Sequence, residues 1–211
     1  MNIKIRLERK EDHRRVEELT REAFWNLHVP GCDEHLLAHN LRKCEAFIPE
    51  LDYVAVMDSV VVGNIMFCRS VVKSEDDGEH DVITFGPVSV WPENQGRGIG
   101  SALIKHAIGR AKDMGFTAIL IYGDPGYYRR FGFGPAEDFQ IRTAEGKYLD
   151  ALMALPLYEG ALDGIQGRFH EGDAYHVDEG ELAEFDKTFP PKEKRETESQ
   201  RRFSELANQT H

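Results

Sequence analysis

Apolar residues alternate with polar ones in some segments of the chain and recur at helical spacing in others. Residues 3–7 alternate throughout, which predicts a strand with one buried face. Apolar residues at intervals of three and four then predict two helices, the first after Asp12 and the second after Asp33. We therefore expect the chain to open with a strand followed by two helices.

The next segment predicts a hairpin and a further strand. Residues 51–57 and 60–70 are rich in β-branched residues and flank a turn at residues 58–59, which is typical of an antiparallel hairpin. Residues 82–90 form another β-rich run, but Pro87 lies inside it. Because proline has no N–H to donate to a neighbouring strand, we expect a bulge or kink there.

The strongest helical pattern covers residues 98–114 and ends at Gly115. Residues 118–122 then predict a buried strand. A strand, a helix and a strand in this order form a right-handed crossover, so residues 82–90 and 118–122 are expected to run parallel in one sheet. The fold class is therefore α/β, or α+β in some schemes, with a mixed sheet.

The pattern is weaker beyond residue 124. Strand-like pieces occur near residues 139–142 and 152–155, and residues 179–189 predict a short helix. Residues 192–211 are highly charged with few apolar residues, which predicts a surface helix or a frayed tail.

Composition and charge narrow the class of protein. The 211 residues are 41% apolar, enough for one core, and no segment resembles an interdomain linker. Residues 1–160 are therefore expected to form one domain, with residues 161–211 packed on it or trailing from it. The net charge of −11 argues against a general nucleic-acid binder, which needs a basic surface to neutralise phosphates.

The sequence predicts neither a membrane nor a metal partner. No apolar run approaches the roughly 20 residues that span a bilayer, and the first residues lack the apolar core of a signal peptide. We therefore expect a cytoplasmic protein. The cysteines Cys32, Cys44 and Cys68 form no CxxC pair, so they are expected to be reduced and to bind no metal.

A glycine-rich turn lies between the strand that ends at Val90 and the helix over residues 98–114. Its three glycines alternate with other residues and allow backbone N–H groups to turn inward. The N-terminus of the following helix adds a partial positive charge, so the turn is suited to a ligand that carries phosphate. The residues expected to contact this ligand are Gln95, Gly96, Arg97, Gly98, Ile99, Gly100 and Ser101.

Two common phosphate-binding patterns are not favoured here. A nucleotide triphosphatase has lysine followed by serine or threonine after its last glycine, whereas Gly100 is followed by Ser101 and Ala102. A dinucleotide-binding turn has the spacing G-x-G-x-x-G near the first strand of the fold. In this chain the glycines alternate and the turn lies late in the sequence.

The turn and a downstream tyrosine resemble the GNAT superfamily of acyl-CoA-dependent N-acetyltransferases. That family has a strand and then Q/R-x-x-G-x-G/A at the start of a long helix, and Gln95, Gly98 and Gly100 fill these places. The family also carries a tyrosine four residues before a Gly-Phe pair, as Tyr128 stands before residues 132–133.

The resemblance implies both a fold and an activity. The fold is a mixed, largely antiparallel sheet with a splayed central pair of parallel strands and flanking helices. Residues 3–133 match the order of these elements, and residues 123–133 are similar to one bacterial branch of the family. The implied activity is transfer of an acetyl group from acetyl-CoA to a primary amine, by direct attack in a ternary complex and without a metal.

The resemblance also implies how acetyl-CoA is held. In the family, pantetheine lies between the splayed strands and bonds to the backbone of the first strand. This implies contacts from Val88, Ser89 and Val90, with the N–H group of Val88 also polarising the thioester carbonyl. The diphosphate is expected on the N–H groups of residues 95–101, with Arg97 reaching a phosphate.

The resemblance makes Tyr128 the acid that protonates the CoA thiolate, because a phenol and a thiol have similar pKa values. Tyr127 is expected among the cofactor contacts and is the alternative acid. Family members often place a glutamate on the strand, but residues 84–90 contain no acid, so the base is left open. The alternatives are a water chain and the side chains of Glu93, Asp124, His80 and His35.

The acceptor and the class of function also have alternatives. The acceptor is a small-molecule or peptide amine, and residues 169–189 are expected to cover its cleft. A sensor that binds acyl-CoA without catalysis is the second hypothesis, and a structural protein with an incidental glycine turn is the third. No nucleic acid or membrane partner is expected, and the protein is either a monomer or a homodimer.

Overall fold

The computed structural model describes residues 3–201. Strands form near the alternating patterns and helices near the apolar stripes. In chain order the elements are β1 (Lys4–Leu7), α1 (His13–Phe24), α2 (Glu34–Leu41), β2 (Tyr53–Met57), β3 (Val60–Lys73), β4 (Glu79–Val90), α3 (Ile99–Asp113), β5 (Ala118–Tyr122), α4 (Pro125–Tyr128), β6 (Gly134–Pro135), β7 (Ile141–Arg142), β8 (Leu152–Pro156), β9 (Gly167–His170) and α5 (Glu179–Asp186). Among these described helices, none is long and apolar enough to cross a membrane.

The strands form one mixed sheet in the order β1-β2-β3-β4-β5-β8-β6. Neighbours along this path are antiparallel except β4 and β5, which run parallel as the crossover through α3 predicts. Strand β9 adds to β3 in antiparallel orientation, and β7 pairs with β9 in parallel. A largely antiparallel sheet with flanking helices confirms the expected fold class.

The central parallel pair is joined at a single position. Ile83 pairs with Ile119, and within residues 3–201 these two strands have no other paired position. Strand β4 nevertheless continues to Val90 and β5 continues to Tyr122. The two strands therefore part after this pair and leave a gap between them, as the resemblance implies.

The two faces of the sheet carry different layers. Side chains alternate along β5, so Ile119 and Ile121 pack with Leu103 of α3 in one core cluster. Leu120 points to the other face and packs with Phe169 of β9 in a second cluster. Helix α3 therefore covers one face of the sheet, and the side chain of Phe169 packs on the other face.

The predicted hairpin and bulge are confirmed. Strands β2 and β3 join at residues 58–59, which have φ angles of 48° and 67°. The register between β3 and β4 shifts, because Ile65 faces Val88 but Phe67 faces Phe85. Strand β4 thus has one extra residue at the predicted position, and its direction changes next to the gap.

Residues beyond 160 pack against the earlier part of the chain. Strand β9 pairs with β3, and Phe189 is buried. The Nε1 group of Trp25, at the end of α1, donates to Glu193 O at 2.9 Å. The charged segment predicted over residues 192–211 thus contacts the end of α1, and its last residues, 202–211, lie outside the described residues. The boundary at residue 160 stays a prediction.

A buried pair of carboxyl groups lies at the start of β2. Asp52 is 5% exposed and accepts a hydrogen bond from Asn64 Nδ2 at 2.9 Å. Burial, followed by the hydrogen bond and charge of Glu8, raises the pKa of Asp52 to about 9. Burial also opposes the charge of Glu8, but hydrogen bonds from Asp52 and Arg42 hold the pKa of Glu8 below its usual value. At neutral pH the pair therefore holds one proton, on Asp52.

We predict that Asp52→Asn gains stability relative to the wild type as the pH rises from about 5 to about 8. The pKa of Asp52 is higher in the folded than in the unfolded protein, so the wild type takes up a proton on folding. The contribution of Asp52 to the free energy of unfolding therefore declines as the pH rises from about 4 to about 9. Asparagine cannot lose a proton and keeps an acceptor for Asn64. Urea unfolding at both pH values measures the effect, with the exposed Asp163→Asn as control. If the free energy of unfolding depended on pH equally in Asp52→Asn and wild type, the proton assigned to Asp52 would be contradicted.

Candidate functional site

The glycine-rich turn presents backbone N–H groups at the start of α3. Gly96 and Gly98 have φ angles of 70° and 82°, a left-handed conformation that favours glycine. Among the described residues no side chain caps the helix, and the bond from Ala102 N–H to Gly98 O, at 3.0 Å, closes its first turn. The N–H groups between these two residues point out of the helix end, where the helix dipole favours an anion.

The space over this turn is open. A Cβ atom built on Gly96 or Gly98 would meet no atom within 4 Å. A Cβ atom on Gly100 would lie 3.5 Å from the hydroxyl of Tyr127, so this tyrosine borders the opening. Arg97 is exposed and forms no ion pair within residues 3–201. The turn is therefore a shallow cradle with one cation at its edge.

The other residues of the turn hold it in place. Gln95 Nε2 donates to Val90 O at 3.0 Å, which ties the turn to the end of β4. The side chain of Ile99 is buried in the core cluster beneath α3, while Ser101 is half-buried in the first helical turn. These contacts fix the position of the cradle relative to the gap.

The register of β4 decides which of its backbone groups face the gap. Trp91 N–H donates to a carbonyl of β3 at 2.9 Å, so in this antiparallel pair Trp91 and Ser89 bond to β3. The hydroxyl of Ser89 contacts Thr20 Oγ1 at 3.0 Å. Val88 and Val90 alternate with these residues and direct their backbone groups into the gap.

Strand β5 lines the other side of the gap. Gly123 N–H donates to Ala151 O at 2.8 Å, which continues the register between β5 and β8. By the same alternation the backbone groups of Tyr122 face β4. Because β4 has parted from β5 at this level, the gap is a slot lined by main-chain groups from both strands.

Tyr128 lies beside the slot in a cluster of aromatic rings. Its ring centroid is 5.8 Å from that of Phe85 on β4 and 5.8 Å from that of Phe133. Burial raises the pKa of the Tyr128 phenol above its ordinary value, and Tyr127 and Asp124 raise it further. The phenol is therefore protonated at neutral pH and available as a proton donor.

The position of Tyr128 depends on Gly123 at the end of β5. A Cβ atom on Gly123 would overlap atoms Cδ2 and Cε2 of the Tyr128 ring. Asp124 begins the following helical turn, because its Oδ1 accepts a hydrogen bond from Gly126 N–H at 2.7 Å. The chain thus turns sharply after β5 and folds the ring back onto the glycine.

The other candidate bases have partners or lie on the surface. His35 is buried, and its Nε2 lies 3.1 Å from Asp186 Oδ1. His80 contacts a serine hydroxyl at 2.9 Å near the start of β4, at the end of the strand opposite to the turn. Asp124 caps α4, and Glu93 is exposed in the turn after β4. Of the four, Asp124 contacts Tyr128 through the backbone, because Tyr128 N–H donates to Asp124 O at 3.0 Å.

A cleft of about 780 Å³ lies on the face of the sheet opposite α3, beside part of the segment 169–189 that was expected from the sequence to cover an acceptor cleft. It is lined by Tyr122 of β5, Phe169 of β9 and the segment that follows, including Glu171 and Tyr175. Nothing in the sequence singles out Glu171, because its segment has no motif and weak periodicity. The cleft borders the slot, since the Tyr175 hydroxyl donates to Gly86 O on β4 at 3.3 Å.

The cysteines and acidic residues do not form a metal site in the part of the chain that is described. No group of three or more His, Cys, Asp or Glu side chains is placed there to hold an ion. Cys32, Cys44 and Cys68 are free thiols. Burial, followed by the charge of Cys44, raises the pKa of the Cys68 thiol to about 12.

Comparisons with known proteins find a matching family model and similar sequences. Residues 4–136 match the family model described as an acetyltransferase (GNAT) domain. The uncharacterized N-acetyltransferase YjhQ of Escherichia coli K12 is 35% identical over 99 residues, which is 47% of this chain and 54% of YjhQ. The chain thus spans about half the length of that relative. The uncharacterized N-acetyltransferase YhbS of the same strain is 29% identical over 141 residues, 65% of this chain and 81% of YhbS.

Two solved structures have a similar fold. A GNAT family acetyltransferase from Brucella melitensis in complex with acetyl-CoA has a TM-score of 0.67 and 28% identity, over 83% of this chain and 99% of that chain. The structure of Escherichia coli YhbS in complex with CoA has a TM-score of 0.73 at 24% identity, over 83% and 92% of the two chains. The second likeness concerns the fold alone.

We predict that Gly123→Ala destabilises the protein by about 1–3 kcal/mol, because the new methyl group must displace the Tyr128 ring from a packed site. The matched control is Gly109→Ala in α3, where a Cβ atom meets nothing within 4 Å. Alanine there gains helix propensity and is expected to add up to about 1 kcal/mol. Urea unfolding measures both variants. Equal stability of the two variants would contradict the contact between Gly123 and Tyr128.

Proposed function

Because the chain belongs to the GNAT acetyltransferase family, we propose that it transfers an acetyl group from acetyl-CoA to a primary amine, by direct attack in a ternary complex. One observation carries the proposal: in the described part of the chain β4 and β5 pair only at Ile83 and Ile119, and they then part beside a helix N-terminus that no side chain caps there. The acetyl-CoA complex of the Brucella protein supports the same co-substrate for this chain.

The residues present fit acetyl-CoA. Residues 96–101 offer N–H groups to a diphosphate in a cradle that larger side chains at Gly96 and Gly98 would fill. Arg97 is free to pair with a phosphate. Val88 and Val90 are proposed to bond to the pantetheine amides, because their backbone groups face the slot whereas those of Ser89 face β3. When bound, acetyl-CoA supplies an activated acetyl thioester.

Tyr128 is proposed as the proton donor. Its ring lies against Phe85 of β4 at the slot, and its buried phenol keeps its proton at neutral pH. Donation from the phenolic oxygen neutralises the negative charge that develops on the departing sulfur. Tyr127 borders the cradle at Gly100, so its proposed role is in binding the co-substrate.

The acceptor is proposed to be a small-molecule or peptide amine that reaches the slot from the face opposite α3. The cleft that contains Tyr122 lies on this face and is open to solvent. An acceptor bound in this cleft is proposed to reach the thioester from the face of the sheet opposite the cradle. Entry from opposite faces allows both substrates to be bound at the same time, which a ternary complex requires.

We predict that Tyr128→Phe lowers kcat about 100-fold or more while the Kd for acetyl-CoA changes less than about threefold. Phenylalanine keeps the ring packing and removes only the donated proton. Thiol release from acetyl-CoA in the presence of an amine panel measures kcat, and calorimetry measures Kd. The control is Tyr158→Phe, since Tyr158 is 56% exposed. Unchanged kcat in Tyr128→Phe would remove Tyr128 as the donor.

We also predict that CoA stabilises the folded protein through the cradle. A ligand at 100 times its Kd adds about 2.7 kcal/mol to the free energy of unfolding. Gly98→Val is expected to reduce this gain strongly, because a branched residue is strained at a φ of 82°. Thermal unfolding with and without CoA measures the effect, with Gly109→Ala as control. CoA binding without thiol release toward any amine would instead identify an acyl-CoA sensor.

A further inference from the structure

The sequence leaves the general base of the proposed reaction open, and the cleft opposite α3 contains a residue that fits this role. Tyr122 and Phe169 approach with ring centroids 5.9 Å apart on this face. Glu171 lines the same cleft two residues after Phe169. Its backbone is fixed, because Ser70 Oγ donates to Glu171 O at 3.2 Å.

The carboxyl group of Glu171 has no partner. Within residues 3–201 it forms neither a hydrogen bond nor an ion pair, although Glu171 is half-buried. Burial raises the pKa of Glu171 to about 7, and no other group contributes to this shift. A carboxyl group that gains and loses a proton near neutral pH is suited to proton transfer.

Glu171 shares its cleft with two tyrosines that reach the two parted strands. Burial raises the pKa of Tyr122 on β5, and the charge of Glu171 is the next cause. Burial also raises the pKa of Tyr175, to which the charges of Cys68 and Glu171 add. The Tyr175 hydroxyl donates to Gly86 O at the bulge of β4. The carboxyl group is therefore close to residues that contact both sides of the slot.

The charges around the cleft favour a cation beside Glu171. Two cationic residues line it, but the guanidinium of Arg69 lies 5.5 Å from the ring of Phe116 and Lys73 Nζ pairs with Glu79 at 3.0 Å. Neither neutralises Glu171. The remaining titratable side chains of the lining, apart from the tyrosines, are Asp81, Glu145, His170, Asp173 and His176.

We infer that Glu171 is the general base that takes the proton from the acceptor ammonium group at the slot. This rests on the proposed function. One proton moves from the ammonium nitrogen to a carboxylate oxygen of Glu171 and leaves through the open cleft. The free amine forms the C–N bond as the C–S bond breaks, Tyr128 gives its proton to sulfur, and the second amine proton restores the phenol. The products are an N-acetyl amine, CoA thiol and one released proton.

The test compares Glu171→Gln with Glu159→Gln, the same substitution at an exposed residue that does not line the cleft. The substrates are acetyl-CoA with phenethylamine, spermidine and a tripeptide with a free N-terminus. We expect Glu171→Gln to lower kcat/KM about 100-fold at pH 7, with an unchanged Kd for acetyl-CoA. The melting temperature is expected to stay the same or rise, because the variant removes a buried carboxyl group that has no partner. Glu159→Gln is expected to stay within about threefold of wild type.

The pH profile separates a base from a structural residue. The wild type is expected to lose activity below a pKa near 7, and Glu171→Gln to lack this limb and to approach wild-type rates as the amine loses its own proton at high pH. A constant deficit at every pH, or activity within threefold of wild type with the limb intact, would overturn the assignment. Wild-type protein that binds acetyl-CoA but acetylates none of the amines would instead contradict the proposed function on which it rests.

Discussion

The parting of β4 from β5 is the constraint on which the rest of the structure depends. Two adjacent strands in one sheet normally satisfy each other's backbone groups, and leaving such groups unpaired costs free energy. Here the pairing stops after Ile83 and Ile119. The bulge redirects β4, and the turn after β5 places the Tyr128 ring against Phe85 of β4. Beyond Ile83 and Ile119, within the described residues, aromatic packing and not strand pairing joins β4 to the segment that follows β5.

The two faces of the slot differ in charge. On the face of α3, unpaired N–H groups and Arg97 favour an anion such as a diphosphate. On the opposite face, Glu171 and three further acids line a cleft. The two cationic residues of this cleft, Arg69 and Lys73, contact Phe116 and Glu79 instead of Glu171. The negatively charged acetyl-CoA and the proposed ammonium acceptor thus have separate proposed approaches to the same opening. The proposed proton donor and base, Tyr128 and Glu171, contact residues on opposite faces of this opening.

Strong local patterns made much of the fold predictable from the sequence. The hairpin, α3 and the parallel pair each follow from periodicity or crossover geometry, and the cradle follows from the spacing of its glycines. Tyr128 was singled out by the resemblance to the GNAT family. The orientation of Ser89 did not follow, because a shift of one residue in register reverses which backbone groups face the gap. The pairing of β9 with β3 also stayed hidden, since it joins short segments about a hundred residues apart in sequence. Glu171 gains its properties from that distant packing.

Hydrogen exchange of the β4 backbone amides, measured residue by residue by NMR with and without CoA, tests the slot most directly. If the slot is open, the amides of Val88 and Val90 exchange rapidly in the free protein and become protected when CoA binds. The amide of Ser89, which bonds to β3, is predicted to be protected in both states. Strong protection of the Val88 and Val90 amides without ligand, or no change on adding CoA, would contradict an open slot that binds CoA through these two residues.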